Sequence, residues 1–505
     1  MAYIPHRRIN GPTLVTAGVS LLVFAYVATR AAKLCITIDE AATYNSHVTG
    51  GWLDIILFRT DGLPDNNHLL HTLLCKASVM LFGLSELTLR IPSLLGCLFY
   101  LLGVNLCLRR IVSGWRIVPG FLAVGMNPYV LDYLGLARGY GLGLGFTMLG
   151  LAALLSSFTE SSGKVGVVTA QAGMVLFCLA ALSNLSYLLV LCSAMLLVGM
   201  FLVSPGIFDR RLPQFSGSTW PVLMVKIILP AVPFLAYLAF PIGIIRKQKL
   251  FGEGGHEGFW ADTVTGLIQG TAYDSLRLWH NIDAMVAWVM VSSLFVPLAI
   301  IVLRRTDERK FLVLCLLAGM TFVVSLLSLA QHYLFHVAFL LGRRGMFLIP
   351  LFLLTLLALG DPPRHASRWY VLTAMLFGLL APSLLAVHDV ASMNLRTIND
   401  WNCYEGNRPA MLAIRSAIGW GTPERPRKIR VNGDFEGSMN FYRSMFGMER
   451  LLLPIRDDGL DGSADFYFGH TSDAVTMARY GARPLLVHQA SGTVLYERAG
   501  EDSRR

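Results

Sequence analysis

The chain has 505 residues, of which 54% are hydrophobic and only 15% are charged, and its formal net charge is +10. Its mean hydropathy is +0.56, and the apolar residues come in long blocks such as 311–330 and 346–359. Because about 20 consecutive apolar residues suffice to cross a bilayer, this composition excludes a soluble protein and indicates a polytopic membrane protein. The positive-inside bias of such proteins explains the net charge without a nucleic-acid partner.

Eleven apolar segments are predicted to cross the membrane. They are residues 13–31, 91–108, 117–131, 139–157, 165–182, 186–203, 219–241, 284–303, 311–329, 345–360 and 369–388. An even number of spans separates each basic cluster from the next, and the clusters lie at residues 6–8, 109–116, 210–211, 304–310 and 364–368. Basic residues favour the cytoplasmic side, so the N-terminus and these clusters are predicted to be cytoplasmic.

A further apolar segment, 67–83, is short and carries His68, His71 and Lys76. We predict that it does not cross but lies at the outer interface as a juxtamembrane helix, as amphipathic segments can.

The C-terminal part of the chain has a different character. It is rich in Gly, Arg, Asp and Glu, and alternation predicts strands at 428–431, 484–488 and 493–497 and a helix at 438–446. We therefore predict two domains, a transmembrane catalytic domain over 1–389 and a small extracytoplasmic α/β domain over 390–505. The eight cysteines include no CxxC pair, which disfavours a disulfide framework or a zinc site.

The remaining polar residues fall on separate connections that the topology places on the outer face. An acidic pair lies in ITIDEAATYN (36–45), and histidines lie in LPDNNHLLH (63–71). Arginines and further polar residues lie in SELTLRIPS (85–93), LDYLGLARGYGL (131–142) and AQHYLFHVAFLLGRRGM (330–346). Ionisable groups near a membrane are costly and mark functional cavities, so this one-sided set predicts a site.

The residue types limit the chemistry of that site. Carboxylates suit base catalysis or metal binding. Arginines on the outer face oppose the insertion bias, and the guanidinium fork fits a phosphate bidentately. Because the chain has no GxxxxGK[ST] loop for a nucleotide, the predicted ligand is a lipid-linked phosphate.

The order of these motifs resembles the GT-C superfamily of polyprenyl-phosphate-sugar glycosyltransferases, which includes protein O-mannosyltransferases, aminoarabinose transferases and lipopolysaccharide-core transferases. The acidic pair Asp39–Glu40 is similar to that of the family, and His68 begins a His-Pro-Pro-Leu-like motif that lacks both prolines. Ala137–Tyr140 is similar to a Glu-Ala-Arg-x-Tyr-like motif, with Leu136 in place of the acid. The resemblance implies an all-α membrane protein of GT-C type.

The resemblance also implies an activity, an inverting transfer of a monosaccharide from a polyprenyl-phosphate donor to a glycan, glycolipid or protein acceptor. Asp39 would be the general base, and Glu40 would orient the acceptor or share a divalent cation, Mg²⁺ or Mn²⁺. Arg90, Arg138 and Arg343 or Arg344 would neutralise the phosphate leaving group. The predicted substrate-binding residues are Tyr44, His68, His71, Arg90, Asp132, Arg138, Tyr140, His332, Arg343 and Arg344. The expected location is a bacterial inner membrane, with the site facing the periplasm or exterior.

Two other functions remain open from the sequence. One is an O-antigen polymerase or ligase, because the outer loop 242–283 carries Arg246, Lys247 and Lys249. The other is a transporter, although transporters usually carry repeated halves and polar sites at the membrane midplane.

Overall fold

The structure is a computed structural model that describes residues 11–160, 163–203, 219–252, 254–273, 282–361, 367–419 and 425–498. The basic clusters at residues 6–8 and 210–211 and the basic residue Arg364 lie outside the described residues. The helices in chain order are α1 (Gly11–Lys33), α2 (Ile38–Ala42), α3 (Trp52–Ile56), α4 (Leu69–Phe82), α5 (Glu86–Ile111), α6 (Ile117–Gly125), α7 (Pro128–Gly135), α8 (Gly139–Thr159), α9 (Gly163–Ser183), α10 (Leu188–Val203), α11 (Trp220–Ile228), α12 (Val232–Lys247), α13 (Gly266–Ala272), α14 (Ile282–Thr306), α15 (Glu308–Phe335), α16 (Leu348–Leu359), α17 (Arg368–Met375), α18 (Ala381–Ala391), α19 (Asn407–Ile418), α20 (Glu436–Met445) and α21 (Ala474–Arg479). The strands are β1 (Ile429–Val431), β2 (Phe466–His470), β3 (Ala482–His488) and β4 (Thr493–Arg498).

The chain divides into two compact units. The first contains Met1–Ala28, Ser93–Gly135 and Gly139–Met393, and the second contains Thr29–Pro92, Leu136–Arg138 and Asn394–Arg505. The predicted boundary between residues 389 and 390 stays a prediction, and the second unit also draws two segments from the N-terminal third of the chain.

Nine helical segments among the described residues are long and apolar enough to cross a membrane. They are Gly11–Lys33, Glu86–Ile111, Gly139–Thr159, Gly163–Ser183, Leu185–Val203, Trp220–Lys247, Met285–Arg304, Glu308–Phe335 and Arg368–Ala391. The protein is therefore an integral membrane protein, and each of these segments overlaps a predicted span. The predicted count of eleven is not confirmed, because the other two predicted spans correspond to shorter helices.

One of these two, 117–131, is interrupted in the structure. The helix α6 ends at Gly125 and α7 begins at Pro128. Proline disfavours a helical conformation in the residue before it, and the Asn127 side chain accepts a hydrogen bond from the Val130 backbone N–H at 3.2 Å, which caps the new helix. The other, 345–360, forms the 12-residue helix α16.

Small residues set the packing of helices within the first unit. A Cβ atom on Gly96 of α5 would collide with the backbone of Gly141, and one on Gly145 of α8 would collide with the carbonyl oxygen of Gly96. The two helices therefore approach at backbone contact, which a larger residue at either position would prevent.

Ion pairs join several of the predicted cytoplasmic connections within the first unit. Glu160 lies 3.2 Å from the Arg110 side chain and 3.0 Å from that of Arg309. Asp361 pairs with Arg116 at 2.9 Å. The paired residues come from different connections, so these connections lie close together within the first unit.

The second unit contains a mixed four-stranded sheet in the order β1-β2-β4-β3. Strands β1 and β2 are parallel, whereas β4 is antiparallel to both of its neighbours. The predicted strands at 428–431, 484–488 and 493–497 and the helix at 438–446 correspond to β1, β3, β4 and α20, and β2 was not predicted. The core of this unit joins Ile36, Ala41 and Leu89 to residues of the C-terminal segment such as Phe435 and Tyr442.

Candidate functional site

The short helix α2 carries the acidic pair and begins with a capping box. The Thr37 hydroxyl accepts a hydrogen bond from the Glu40 backbone N–H at 3.4 Å, and the Glu40 carboxylate accepts one from the Thr37 N–H at 3.0 Å. This reciprocal arrangement satisfies N–H groups that a helix start leaves unpaired, and it fixes the Glu40 side chain against the N-terminus of α2. The Asp39 side chain is rotated by about 100° from that of Glu40 around the helix axis, so it leaves the helix on a different face.

Glu40 forms a closed ion pair with Arg90. The Arg90 Nε and Nη2 atoms each donate to a different Glu40 oxygen at 2.7 Å, and both side chains are 0% exposed. A bidentate ion pair of this kind offsets the cost of burying two charges only when the remaining donors and acceptors are also satisfied.

The remaining N–H groups of Arg90 meet this requirement. Nη1 donates to the carbonyls of Ala31 and Leu34 at 3.0 and 2.7 Å, and Nη2 donates to that of Cys35 at 2.9 Å. With the two bonds to Glu40, all five N–H groups have partners within the protein. The geometry thus favours a positioning role for Arg90, which holds the end of α1 against α2, over the predicted phosphate contact.

Glu40 also fixes the segment that carries Arg138. Its Oε1 atom accepts a hydrogen bond from the Ala137 backbone N–H at 2.6 Å. Because Ala137 directly precedes Arg138, this bond places the start of the Arg138 backbone beside α2. Glu40 is therefore a structural link between two parts of the site.

Asp39 and Arg138 form a looser and more accessible pair. The Arg138 Nη2 atom lies 3.7 Å from Asp39 Oδ2, and the side chains are 7% and 22% exposed. Arg138 Nη1 also donates to the Asp39 backbone carbonyl at 3.4 Å and to the side-chain oxygen of Asn66. The Asp39 side chain is thus partly exposed, whereas the Glu40 side chain is fully enclosed.

Three buried histidines of the second unit are His47, His68 and His71. His68 immediately precedes α4, and His71 lies in its first turn with the Cys75 Sγ 3.6 Å from its ring nitrogens. The pKa of His71 is lowered to about 3 by burial and by the positive charge of Arg138.

His47 was not among the predicted site residues. It lies in the π-helical turn Thr43–Val48 that follows α2, and its Nδ1 lies 2.6 Å from the Thr60 hydroxyl. Burial, reinforced by the charge of Arg138, lowers the pKa of His47 to about 4. The imidazoles of His47 and His71 are therefore neutral at physiological pH, and Arg138 is the cation among these three side chains.

Tyr44 lies in the same π-helical turn and is half-buried. Its ring meets that of Phe441 edge to face, with centroids 5.4 Å apart. The pKa of Tyr44 is raised by burial and then by the nearby charge of Glu449, so the phenol stays protonated.

The other predicted site residues lie in the first unit. Asp132 accepts a hydrogen bond from the Tyr273 hydroxyl at 2.9 Å, and the ring of Tyr140 meets that of Tyr133 at 5.4 Å. His332 stacks on Phe339 with centroids 3.9 Å apart, and its Nδ1 lies 2.9 Å from the Val337 carbonyl oxygen. Half-buried arginines occupy the turn Gly342–Gly345, namely Arg343 and Arg344. The structure thus gathers seven of the predicted residues in the second unit, Asp39, Glu40, Tyr44, His68, His71, Arg90 and Arg138.

The predicted divalent cation at the acidic pair is not confirmed. Within the described ranges, no group of three or more His, Cys, Asp and Glu side chains is placed to hold a metal ion. The Glu40 carboxylate already accepts hydrogen bonds from Arg90, Thr37 and Ala137, so it has no lone pair suitably placed for a cation. The residues present do not fit a metal shared by Asp39 and Glu40.

Sequence reasoning missed the link made by Glu40, although a signal for it was present. The segment Thr37-Ile38-Asp39-Glu40 matches the [ST]-x-x-[DE] capping box, which predicts that the fourth residue turns back to the helix start. Nothing in the local sequence pointed to His47, because its burial depends on residues distant along the chain.

No family model and no curated protein matches this sequence. Among solved structures, ArnT from Cupriavidus metallidurans in the apo state is 13% identical, with a TM-score of 0.50 over 96% of this chain and 97% of that one. ArnT from the same organism bound to undecaprenyl phosphate is 14% identical, with a TM-score of 0.40 over 97% and 98%. An oligosaccharyltransferase from Archaeoglobus fulgidus in complex with Zn and sulfate is 12% identical, with a TM-score of 0.44 over 92% and 69%. The first of these similarities shows the fold, which this chain shares with ArnT.

Proposed function

We propose that this protein is an inverting glycosyltransferase that moves a monosaccharide from a polyprenyl-phosphate donor to a hydroxyl of a glycan, glycolipid or protein on the outer face of the membrane. The observation that carries the proposal is the contrast within the acidic pair. Asp39 is 22% exposed beside Arg138, whereas its neighbour Glu40 is 0% exposed. The Asp39 carboxylate can thus react, while the Glu40 carboxylate holds the surrounding segments in place.

Asp39 acts as the general base in this mechanism. The acceptor hydroxyl attacks the anomeric carbon of the donor from the face opposite the phosphate, and its proton passes to an Asp39 carboxylate oxygen. A new bond forms between the anomeric carbon and the acceptor oxygen. The bond from the anomeric carbon to the phosphate oxygen breaks, and its electron pair leaves with the polyprenyl phosphate.

Arg138 has two electrostatic tasks in this mechanism. Before the reaction, its charge pairs with the Asp39 carboxylate at 3.7 Å. When Asp39 accepts the proton its charge is neutralised, and Arg138 then stabilises the phosphate, whose negative charge grows as the bond breaks. A fixed cation of this kind lowers the barrier because it needs no reorganisation during the step.

The first unit contains an apolar cavity. A cavity of about 250 Å³ is lined mainly by apolar and aromatic side chains, including Trp260, Trp288 and Phe352. Such a surface suits an isoprenoid chain, which has no polar group to satisfy. Arg343 and Arg344 stay predicted phosphate contacts, and Asp132, Tyr140 and His332 stay predicted substrate contacts.

The location of the protein follows from the same proposal. Lipid-linked sugars are substrates within a bilayer, and the basic connections favour the cytoplasmic side. We therefore place the protein in a bacterial inner membrane, with α2 and the C-terminal segment facing the periplasm.

The test is a transfer reaction with a donor of defined structure. Purified protein in nanodiscs is mixed with an undecaprenyl-phosphate monosaccharide, and methanol serves as a small acceptor whose methyl glycoside keeps its anomeric configuration. We expect release of undecaprenyl phosphate and a methyl glycoside of inverted configuration by NMR. Retained configuration, or no release above that of protein-free nanodiscs, would overturn the proposal.

The same material separates the two alternative functions. A polymerase or ligase would consume a lipid-linked oligosaccharide in preference to the monosaccharide donor. A transporter would move the donor across the bilayer of a proteoliposome without releasing its lipid phosphate. Either result in place of transfer would identify that alternative.

A further inference from the structure

We infer that a neutral oligosaccharide acceptor binds in a groove between the α2 region and α20; this inference rests on the proposed function. The groove has a volume of about 590 Å³, within the usual range for ligand sites, and all of its lining residues belong to the second unit. One wall consists of α2 and the π-helical turn after it, and the other consists of α20 and the segment near Arg456.

The groove is adjacent to the proposed base. Ile38 and Ala42 line the groove from the same face of α2, four residues apart. Asp39 and Ala42 are three residues apart on this helix, so their Cβ atoms are separated by about 5–6 Å. Asp39 thus lies at the border of the groove, next to its lining residues Ile38 and Ala42, and a sugar bound there can extend a hydroxyl towards it.

Contacts between the two walls hold the groove open in a fixed form. The Asn45 side-chain amide donates to the Gly437 carbonyl at 2.8 Å, and the Ile36 backbone N–H donates to the Tyr442 hydroxyl at 2.9 Å. The edge-to-face contact of Tyr44 with Phe441 adds a third contact. A preformed groove is typical of binding sites, because a ligand does not have to order its walls.

The lining chemistry favours a polyhydroxylated and uncharged ligand. Ser46 and Thr49 contribute hydroxyls, Arg456 contributes N–H donors, and Glu436 contributes carboxylate acceptors. A sugar hydroxyl can both donate and accept, so it can pair with each of these groups. Glu436 lines the groove, and the exposed Asp457 side chain lies beside the lining residue Gly433; together they balance Arg443 and Arg456, which disfavours a strongly anionic ligand.

A peptide acceptor fits this groove less well. Extended peptides commonly bind by adding a strand to the exposed edge of a sheet, which satisfies their backbone groups. The groove is lined by residues of helices, turns and loops and by no residue of the strands β1–β4. The polar groups that it offers are side chains spaced along a trough, which suits successive sugar rings.

The test uses saturation-transfer NMR on the full-length protein in nanodiscs. The probes are neutral trisaccharides of glucose, galactose and mannose, together with the anionic trigalacturonate and a Ser/Thr-rich peptide of similar length. We expect at least one neutral trisaccharide to bind, and to bind more tightly than trigalacturonate. Binding of none of the neutral sugars, or preferential binding of the anionic sugar or the peptide, would overturn the inference.

Two variants locate the binding. Thr49→Trp fills the groove from an exposed position and should abolish the saturation-transfer signal. Arg456→Gln removes a charged donor and should raise the Kd about tenfold. Val475→Trp, at a position that is 69% exposed on α21 and outside the groove, is the matched control and should bind the sugar like the wild type.

The outcomes separate this inference from the proposed function. If the wild type transfers its sugar to methanol but Thr49→Trp binds trisaccharides normally, the groove assignment is wrong and the transferase remains. If trisaccharides bind in the groove but the wild type never releases undecaprenyl phosphate, the groove stands and the transferase proposal fails. Thermal unfolding of each variant identifies any that has not folded.

Discussion

The adjacent residues Asp39 and Glu40 each pair with an arginine, and the two pairs differ in almost every physical property. Glu40 and Arg90 are fully buried, meet at 2.7 Å through two hydrogen bonds, and leave no N–H of Arg90 without a partner. Asp39 is 22% exposed, Arg138 is 7% exposed, and the two meet at 3.7 Å. Residues adjacent in the chain thus take separate tasks: the closed pair builds the site, and the open pair is accessible for chemistry.

The difference originates in one helical turn. The capping box turns the Glu40 side chain back towards Thr37 and into the core, where it pairs with Arg90 in the first turns of α5. Asp39 is rotated by about 100° and reaches the surface. Because Glu40 also holds the Ala137 N–H, the closed pair sets the distance of the open pair. The predictions that follow test this division of tasks, from the largest expected effect to the smallest.

Asp39→Asn should have the largest effect, and it should act mainly on activity. Removal of a general base typically lowers a rate about 10²–10⁴-fold, and asparagine keeps the size of the side chain. Arg138 keeps its hydrogen bonds to the Asp39 backbone carbonyl and to Asn66 in this variant, so the loss of stability should be smaller than that from breaking the pair of Glu40 and Arg90. The measurement is the rate of transfer to methanol together with the melting temperature. Asp61→Asn, an exposed acid in the same unit, serves as the control.

Glu40→Gln should have the largest effect on stability. It leaves the buried Arg90 charge without its counter-ion, a change that costs about 3–5 kcal/mol in other buried pairs. The measurement is the free energy of unfolding in denaturant, with the exposed Glu449→Gln as control. Equal destabilisation by Asp39→Asn and Glu40→Gln would contradict the contrast between closed and open pairs.

Arg138→Gln should lower the transfer rate about 10²–10³-fold, because the leaving phosphate loses a preorganised cation. Arg138→Lys should recover part of this loss, since it restores the charge without the planar fork. The control is Arg479→Gln, which removes an exposed arginine from α21. If Arg138→Gln lowered stability as much as Glu40→Gln and left the rate of the folded fraction unchanged, Arg138 would be structural.

The sequence predicts the apolar helices well because their driving force is local. The blocks at 13–31 and 311–329 fall within α1 and α15. The break at Asn127–Pro128 was visible as a proline, yet prolines are tolerated in membrane helices, so hydropathy alone could not place it. Strand β2 was missed because FYFGH is short and contains a glycine.

The candidate site was less predictable, because it depends on burial at long range. Motif resemblance brought Asp39 and Arg138 to notice, and they lie 3.7 Å apart. The same resemblance predicted that Arg90 binds the phosphate. No local sequence pattern indicates that its N–H groups instead donate to backbone carbonyls at the end of α1. Side chains of one type take different tasks according to what the tertiary structure leaves exposed.

The smallest expected effect concerns the neutral histidine beside the open pair. The pKa of His47 is lowered to about 4 from its ordinary value of 6.5. As the pH falls, the unfolded chain gains a proton at this position before the folded protein does, which favours unfolding. Stability is therefore full above about pH 6.5 and is lost between about pH 6.5 and 4, by at most about 3 kcal/mol from this residue.

His47→Gln should flatten this profile, because glutamine does not titrate. The measurement is the free energy of unfolding at pH 7, 6, 5 and 4 for the wild type and the variant. Some loss on acidification should persist in the variant, because the pKa of His71 is lowered to about 3 and acts in the same direction. The exposed His256→Gln should keep the wild-type slope. Equal slopes for His47→Gln and the wild type would mean that His47 does not stay neutral beside Arg138, so the open pair would have a second cation next to it.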